Sequence, residues 1–262
     1  MNHPLSALFW VPVLLAAAPG TGPAAAPPVV SIAEVPCGWP ARLQADMLEH
    51  ARRLMPAALA RQVERHRRAL LDGARRAARH HAAHVQRPLQ QDGTALALAD
   101  SVARITALLD ARRPMAEVVR EMGRAGHLVA DLSNPFRGAP DEPAAAQIAP
   151  RFADYLRDER SRFRVVFEGY GDPLLAAGEV SAYGMHLADQ SRSYLDDLLG
   201  GFRRYDTGED PGALDDRSVP FGVASLTYSR SITDTARVWL HAWRQAHGDL
   251  TGLPFHLEDD SP

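Results

Sequence analysis

The sequence predicts an all-α fold built as a single multi-helix domain, and three observations carry that expectation. From Trp39 onward apolar residues recur at i, i+4, i+7 and i+11, the period of one helix face. Strand-like alternation is nowhere sustained, and neither an internal repeat nor a glycine-rich phosphate loop interrupts the pattern. The chain has 262 residues with 46% apolar content, which is enough to fill a proper core.

Each helix has its own signal. Pro40 suits a first turn, and Leu43, Met47, His50 and Leu54 follow on one stripe, which places His50 toward the core. A second helix after Pro56 carries Leu59, Val63, His66, Leu70 and Ala74 and ends near the histidines of HHAAHV, with His66 read as a core histidine. Past Pro88 and Gly93, Leu98, Val102, Ile105 and Leu109 mark a third helix stopped by Pro114.

The fourth runs from Met115 to Leu132 and is closed by Pro135, whose ring disfavours helix at Asn134. With Met122 at the centre of its apolar stripe, His127 and Asp131 fall on the opposite side near Arg120. A fifth helix is expected over Phe152 to Phe167, then one from Pro173 to Tyr205 that glycines interrupt, then one from Phe221 to His247, where Trp239 and Trp243 read as core aromatics. The total is about seven helices.

Ahead of the helices, Leu5 to Ala18 (LSALFWVPVLLAAA) has the length of a secretory leader and is too short for a bilayer core of about 30 Å. The expected organisation is a leader over residues 1–26, a Pro/Ala-rich linker over 27–38, the helical domain over 39–250 and an acidic tail over 251–262. Export to the periplasm or beyond follows, with no transmembrane segment expected in the mature chain. The single cysteine, Cys37, allows no internal disulfide, and VPC matches a lipoprotein cleavage box poorly, leaving lipidation as a minor alternative.

All 29 basic residues are arginine, and 32 acids bring the formal charge to −3, which argues against a general nucleic-acid or membrane-surface binder. The arginines are unevenly placed: ten lie between Arg52 and Arg87 beside only two acids. Either they solvate the outer side of a helix, or they form a local basic face.

Chemistry concentrates in MGRAGHLVADLSNPFRG, Met122 to Gly138. His127 and Asp131 stand one helical turn apart, so both side chains leave the helix on one side, as ordinary polar residues or as paired metal ligands. Ser225, Ser229 and Ser231 lack a nucleophile-elbow pattern, which leaves His241 and His247 no triad to complete. Nothing in the sequence shows surroundings that would lower the pKa of Cys37.

GRAGHLVADLSNPF resembles the central helix of the zinc-dependent phospholipase C family and the related single-strand-specific zinc nucleases. Trp39 followed by His50, the DGARRAA segment around Gly73, the histidine cluster His80, His81 and His84, and the closing YSRSITDTARVWLHAWRQAHGD are similar to further parts of that family in the same order. The resemblance implies zinc held by His127, Asp131, His84 as first choice of the cluster, His50, and the main chain of Trp39. It also implies a zinc-bound hydroxide that attacks a phosphodiester of a phospholipid head group or of nucleic acid, with Asp131 in the catalytic centre and peripheral membrane contact.

The chain departs from the family pattern at several ligands. The aspartate expected after Gly73 is missing, Arg137 stands where a histidine is expected past Pro135, and no histidine lies between His127 and His186. The implied site is therefore reduced to one zinc ion or none. Arg137, with Arg79 or Arg76, is expected to place guanidinium on substrate phosphate where relatives place metal. Two functions stay open: an exported zinc phosphodiesterase with a reduced site, or a non-catalytic relative that keeps the scaffold for binding or a structural role in the periplasm.

Overall fold

The computed structural model describes residues 38–84, 91–138 and 143–255, with side chains from 38–79, 93–136 and 143–255. The expected leader, the linker before Gly38 and the tail beyond Phe255 lie outside these residues. Among the described residues the fold is all-α, as expected: α1 Ala41–Arg53, α2 Ala57–Arg65, α3 Arg67–His84, α4 Gln91–Asp110, α5 Met115–Leu132, α6 Pro143–Glu159, α7 Pro173–Ala176, α8 Val180–Arg192, α9 Leu195–Thr207 and α10 Val219–Gln245. Short 3-10 turns occupy Pro135–Gly138 and Arg160–Arg162. No described helix is long and apolar enough to cross a membrane.

The expected second helix is two. His66 leaves helical geometry at φ −106° and ψ 25°, so α2 ends there and α3 starts afresh along α5. His66 is half-buried at this break rather than a core histidine. The expected helix from Pro173 to Tyr205 is three. Asp172 caps α7 by accepting from the Leu174 and Leu175 N–H groups, Gly178 turns the chain at φ 79°, and α9 stops at Gly208 in the left-handed region at φ 70°.

The fifth helix begins at Pro143 and ends at Glu159, well before Phe167. Beyond Arg162 the chain runs extended along α10 because α10 side chains satisfy its main chain in place of a helix. Val166 N–H donates to Ser229 Oγ at 2.7 Å, the Ser229 hydroxyl is 2.8 Å from the Val166 carbonyl, and Arg237 donates to the Glu168 and Gly169 carbonyls.

Two helices form the axis of the domain. In α10, Trp239 is buried and its indole N–H donates to the Met122 carbonyl of α5 at 2.9 Å. Against α3, α5 packs at backbone contact: a Cβ on Gly73 would stand 1.8 Å from the Arg120 carbonyl oxygen, and one on Gly123 would stand 1.9 Å from that of Leu70. Each glycine meets the carbonyl three residues before the other, the reciprocal arrangement of two helices running in the same direction. The last turns of α3 and α5 therefore lie toward the same end of the domain.

Past α10, His247 adopts the left-handed conformation at φ 55°, where glycine is the usual residue. His247→Gly is expected to raise stability by about 0.5–1 kcal/mol in urea denaturation, since relief of the Cβ strain exceeds the added backbone entropy.

Candidate functional site

The strongest candidate site lies where the start of the described chain meets the end of α5. Trp39 precedes α1 and is buried, and its indole N–H donates to the Ala130 carbonyl at 2.7 Å. That contact brings Gly38 against Asp131, where a Cβ would stand 3.9 Å from Oδ1. One turn into α1, the Gln44 side-chain nitrogen lies 2.8 Å from His127 Nδ1. On the other side of the ring, His127 Nε2 lies 3.4 Å from Asp131 Oδ2.

His127 and Asp131 are 5% and 3% exposed, so of the two readings of their side of the helix they are not ordinary solvated polar residues. The apolar stripe of α5 was read as one face, but α1, α2, α3, α4, α8 and α10 all pack against this helix. Its second half is consequently walled on every side, polar residues included: every residue from Ala125 to Leu132 is buried.

His50 does not join them. The buried residues of α1 are Leu43, Gln44, Met47, Leu48 and Ala51, a stripe rotated so that His50 is half-buried at its edge. There it faces Asp46, Glu49 and Arg53 of its own helix, and burial, aided by the Arg53 guanidinium, holds its imidazole below the usual range. Gln44 takes the inward position assigned to His50. An amide paired with Leu43, one turn before Met47 and Leu48, is the signal that would have found it.

Arg79 is exposed, on the side of α3 away from its buried residues Gly73, Ala74 and Ala77. Arg76 binds Asp72 of its own helix at 2.9 Å. The side chains of His80, His81, His84 and Arg137 lie outside the described residues, although the backbone puts the three histidines in the last turns of α3 and Arg137 in the turn after α5.

Zinc takes three or four protein ligands, or three with an open position for water. Among the described residues no group of three or more His, Cys, Asp or Glu side chains could hold a metal ion. His127 and Asp131 alone do not meet the donor requirement.

Comparison with known protein families, curated proteins and solved structures finds no match to this chain. The resemblance to zinc phospholipase C therefore rests on the motif residues themselves.

A second polar centre, which the sequence reading missed, lies between α8 and α10. The Tyr183 hydroxyl donates to Asp234 Oδ1 at 2.6 Å, and Arg237 approaches the same oxygen at 3.3 Å. Burial pushes the Asp234 carboxyl up to about 6, opposed by the Tyr183 hydrogen bond and the Arg237 charge. Burial and the adjacent carboxylate push the Tyr183 hydroxyl well above its ordinary value. The signal was Asp234 between two threonines on the inward side of a long helix, where Thr227, Ser231 and Thr235 bond back to carbonyls four residues earlier. Ser229 and Ser231 are thereby committed to main-chain partners, as the missing nucleophile pattern led us to expect.

Proposed function

We propose that this chain is an exported helical scaffold of the phospholipase C kind that serves in binding or in a structural role and does not perform metal-assisted phosphodiester hydrolysis. One observation carries the reading: the residue that α1 brings to His127 is the amide Gln44, while His50, the ligand expected from α1, stands among Asp46, Glu49 and Arg53 of its own helix. The neutral amide gives α1 a hydrogen bond to the pair on α5 without supplying the negative charge or soft donor that a zinc ion favours. Trp39 and Gly38 pack against the same turn of α5, so its chemistry is that of a buried junction between the segment that precedes α1 and the core.

A second reading is supported by the shared direction of α3 and α5, which carries the His80, His81 and His84 turns toward the end where His127 and Asp131 lie. In it, one of those histidines and the Trp39 main chain complete a single zinc site with His127 and Asp131.

Elemental analysis of untagged protein purified from the periplasm separates the two. No bound zinc, and no release of head group from phosphatidylcholine or of nucleotides from single-stranded DNA, is the result expected of the scaffold. One zinc per chain, lost in Asp131→Asn, favours the second reading. Two or three zinc ions with turnover on either substrate overturn the first.

A further inference from the structure

We propose that the outer face of α2 and α3 is a docking surface for an anionic phospholipid bilayer. This goes beyond the reading above and does not depend on the state of the His127 centre.

The sequence places ten arginines beside two acids between Arg52 and Arg87, and the fold decides where they point. α3 buries Leu70, Gly73, Ala74 and Ala77 against α5. Arg68, Arg75 and Arg79, spaced i, i+7 and i+11, then fall on the opposite stripe, and all three are exposed. At 1.5 Å per residue that row is about 16 Å long. The break at His66 adds Arg65 and Arg67, also exposed, at its near end.

Neither acid neutralises this row. Glu64 is engaged by Arg52 at 3.2 Å, and Asp72 by Arg76 at 2.9 Å and Arg120 at 3.2 Å. Arg65, Arg67, Arg68, Arg75 and Arg79 form no ion pair among the described residues. Where α2 gives way to α3, Arg65, Arg67, Arg68 and Arg120 line an open hollow of about 760 Å³ together with Glu64 and Asp72, the two acids already engaged by arginine. Guanidinium forks around a hollow of that size match the charge and hydrogen-bonding geometry of lipid phosphate.

The composition of the face selects a bilayer over nucleic acid. No Phe, Tyr or Trp occurs between Arg52 and Arg79, and the half-buried imidazole of His66 is a single ring rather than a row on which successive bases could stack. A straight row of charge on the convex side of a helix meets a plane along its whole length. The exposed large apolar residues, including Leu96, Val166, Tyr205 and Phe255, all lie outside α2 and α3, so attachment is electrostatic and reversible with salt. The overall charge of −3 confines attraction to this face and orients the molecule on the surface.

The test is co-sedimentation of the full chain with vesicles of phosphatidylcholine, with and without phosphatidylglycerol. The expected result is binding to the phosphatidylglycerol vesicles only, falling as salt is raised. Each arginine near an anionic surface contributes about fivefold to partitioning, so joint reversal of Arg65, Arg68 and Arg75 to Glu weakens it by about a hundredfold or more. Reversal of the exposed Arg192, Arg203 and Arg217, which changes net charge equally, leaves most binding in place. Should the first triple variant lose its helical circular dichroism, Arg68→Gln and Arg75→Gln separately are each expected to lose about fivefold. Equal binding to phosphatidylcholine alone, undiminished binding by the Arg65, Arg68 and Arg75 variants, or tighter binding to duplex DNA at matched phosphate overturns the proposal.

Discussion

Gly123→Ala lowers the stability of the chain by about 3 kcal/mol or more, the upper end of what overpacking costs. The new methyl would meet a backbone carbonyl at 1.9 Å. Backbone cannot rotate aside as a side chain can, so α3 and α5 must separate along the contact. Gly73→Ala meets the Arg120 carbonyl in the reciprocal position at 1.8 Å and has a similar effect. The two changes share one interface, so the double variant loses less than the sum. Gly222→Ala in α10 provides the contrast. Nothing lies within 4 Å of a Cβ there, and the helix gains about 0.5–1 kcal/mol from lost chain entropy. Urea midpoints for the three single variants check the set, and a stable Gly123→Ala protein would contradict the close approach.

Asp234 yields the second large effect, and its sign depends on pH. The folded carboxyl sits at about 6 against an ordinary 3.8, so the folded state holds its proton more tightly than the unfolded state does. The stability this contributes is fully present below about pH 4 and is lost as pH rises through 6, a change of about 3 kcal/mol. Asp234→Asn does not titrate and lacks that fall. The advantage of the wild type over the variant should therefore shrink by about 3 kcal/mol between pH 4 and pH 7. Parallel stability profiles over that interval would contradict the assignment. Asp234→Ala at pH 7 costs about 3 kcal/mol, because Tyr183 loses its acceptor and Arg237, whose side chain is 13% exposed, keeps only carbonyl partners.

The sequence was most legible where one period governed a whole element. α4, α5 and α10 fall close to their expected places because apolar spacing, Pro114 and Pro135 all point the same way. It was least legible between Phe163 and Tyr170, where apolar residues suit a helix but Ser229 and Arg237, more than sixty residues later, claim the main-chain groups. No local pattern encodes that competition. The candidate site divides along similar lines. The pairing of His127 with Asp131 follows from helical spacing alone, and the structure also brings Trp39 to the last turn of α5. The exclusion of His50 and the entry of Gln44 depend on how far α1 is rotated about its axis. A single apolar stripe leaves that angle uncertain by about one residue, the 100° that separates neighbours on a helix.

The enclosure of α5 also governs how the molecule opens. A helix at the edge of a domain can unravel turn by turn, whereas one covered by six neighbouring helices has no free turn to surrender. Its amide protons should consequently be among the last to exchange with heavy water, and only through events that expose most of the domain together. Deuterium uptake would then rank the helices by enclosure, with the short α7 and the ends of α9 taking up label long before the segment around His127.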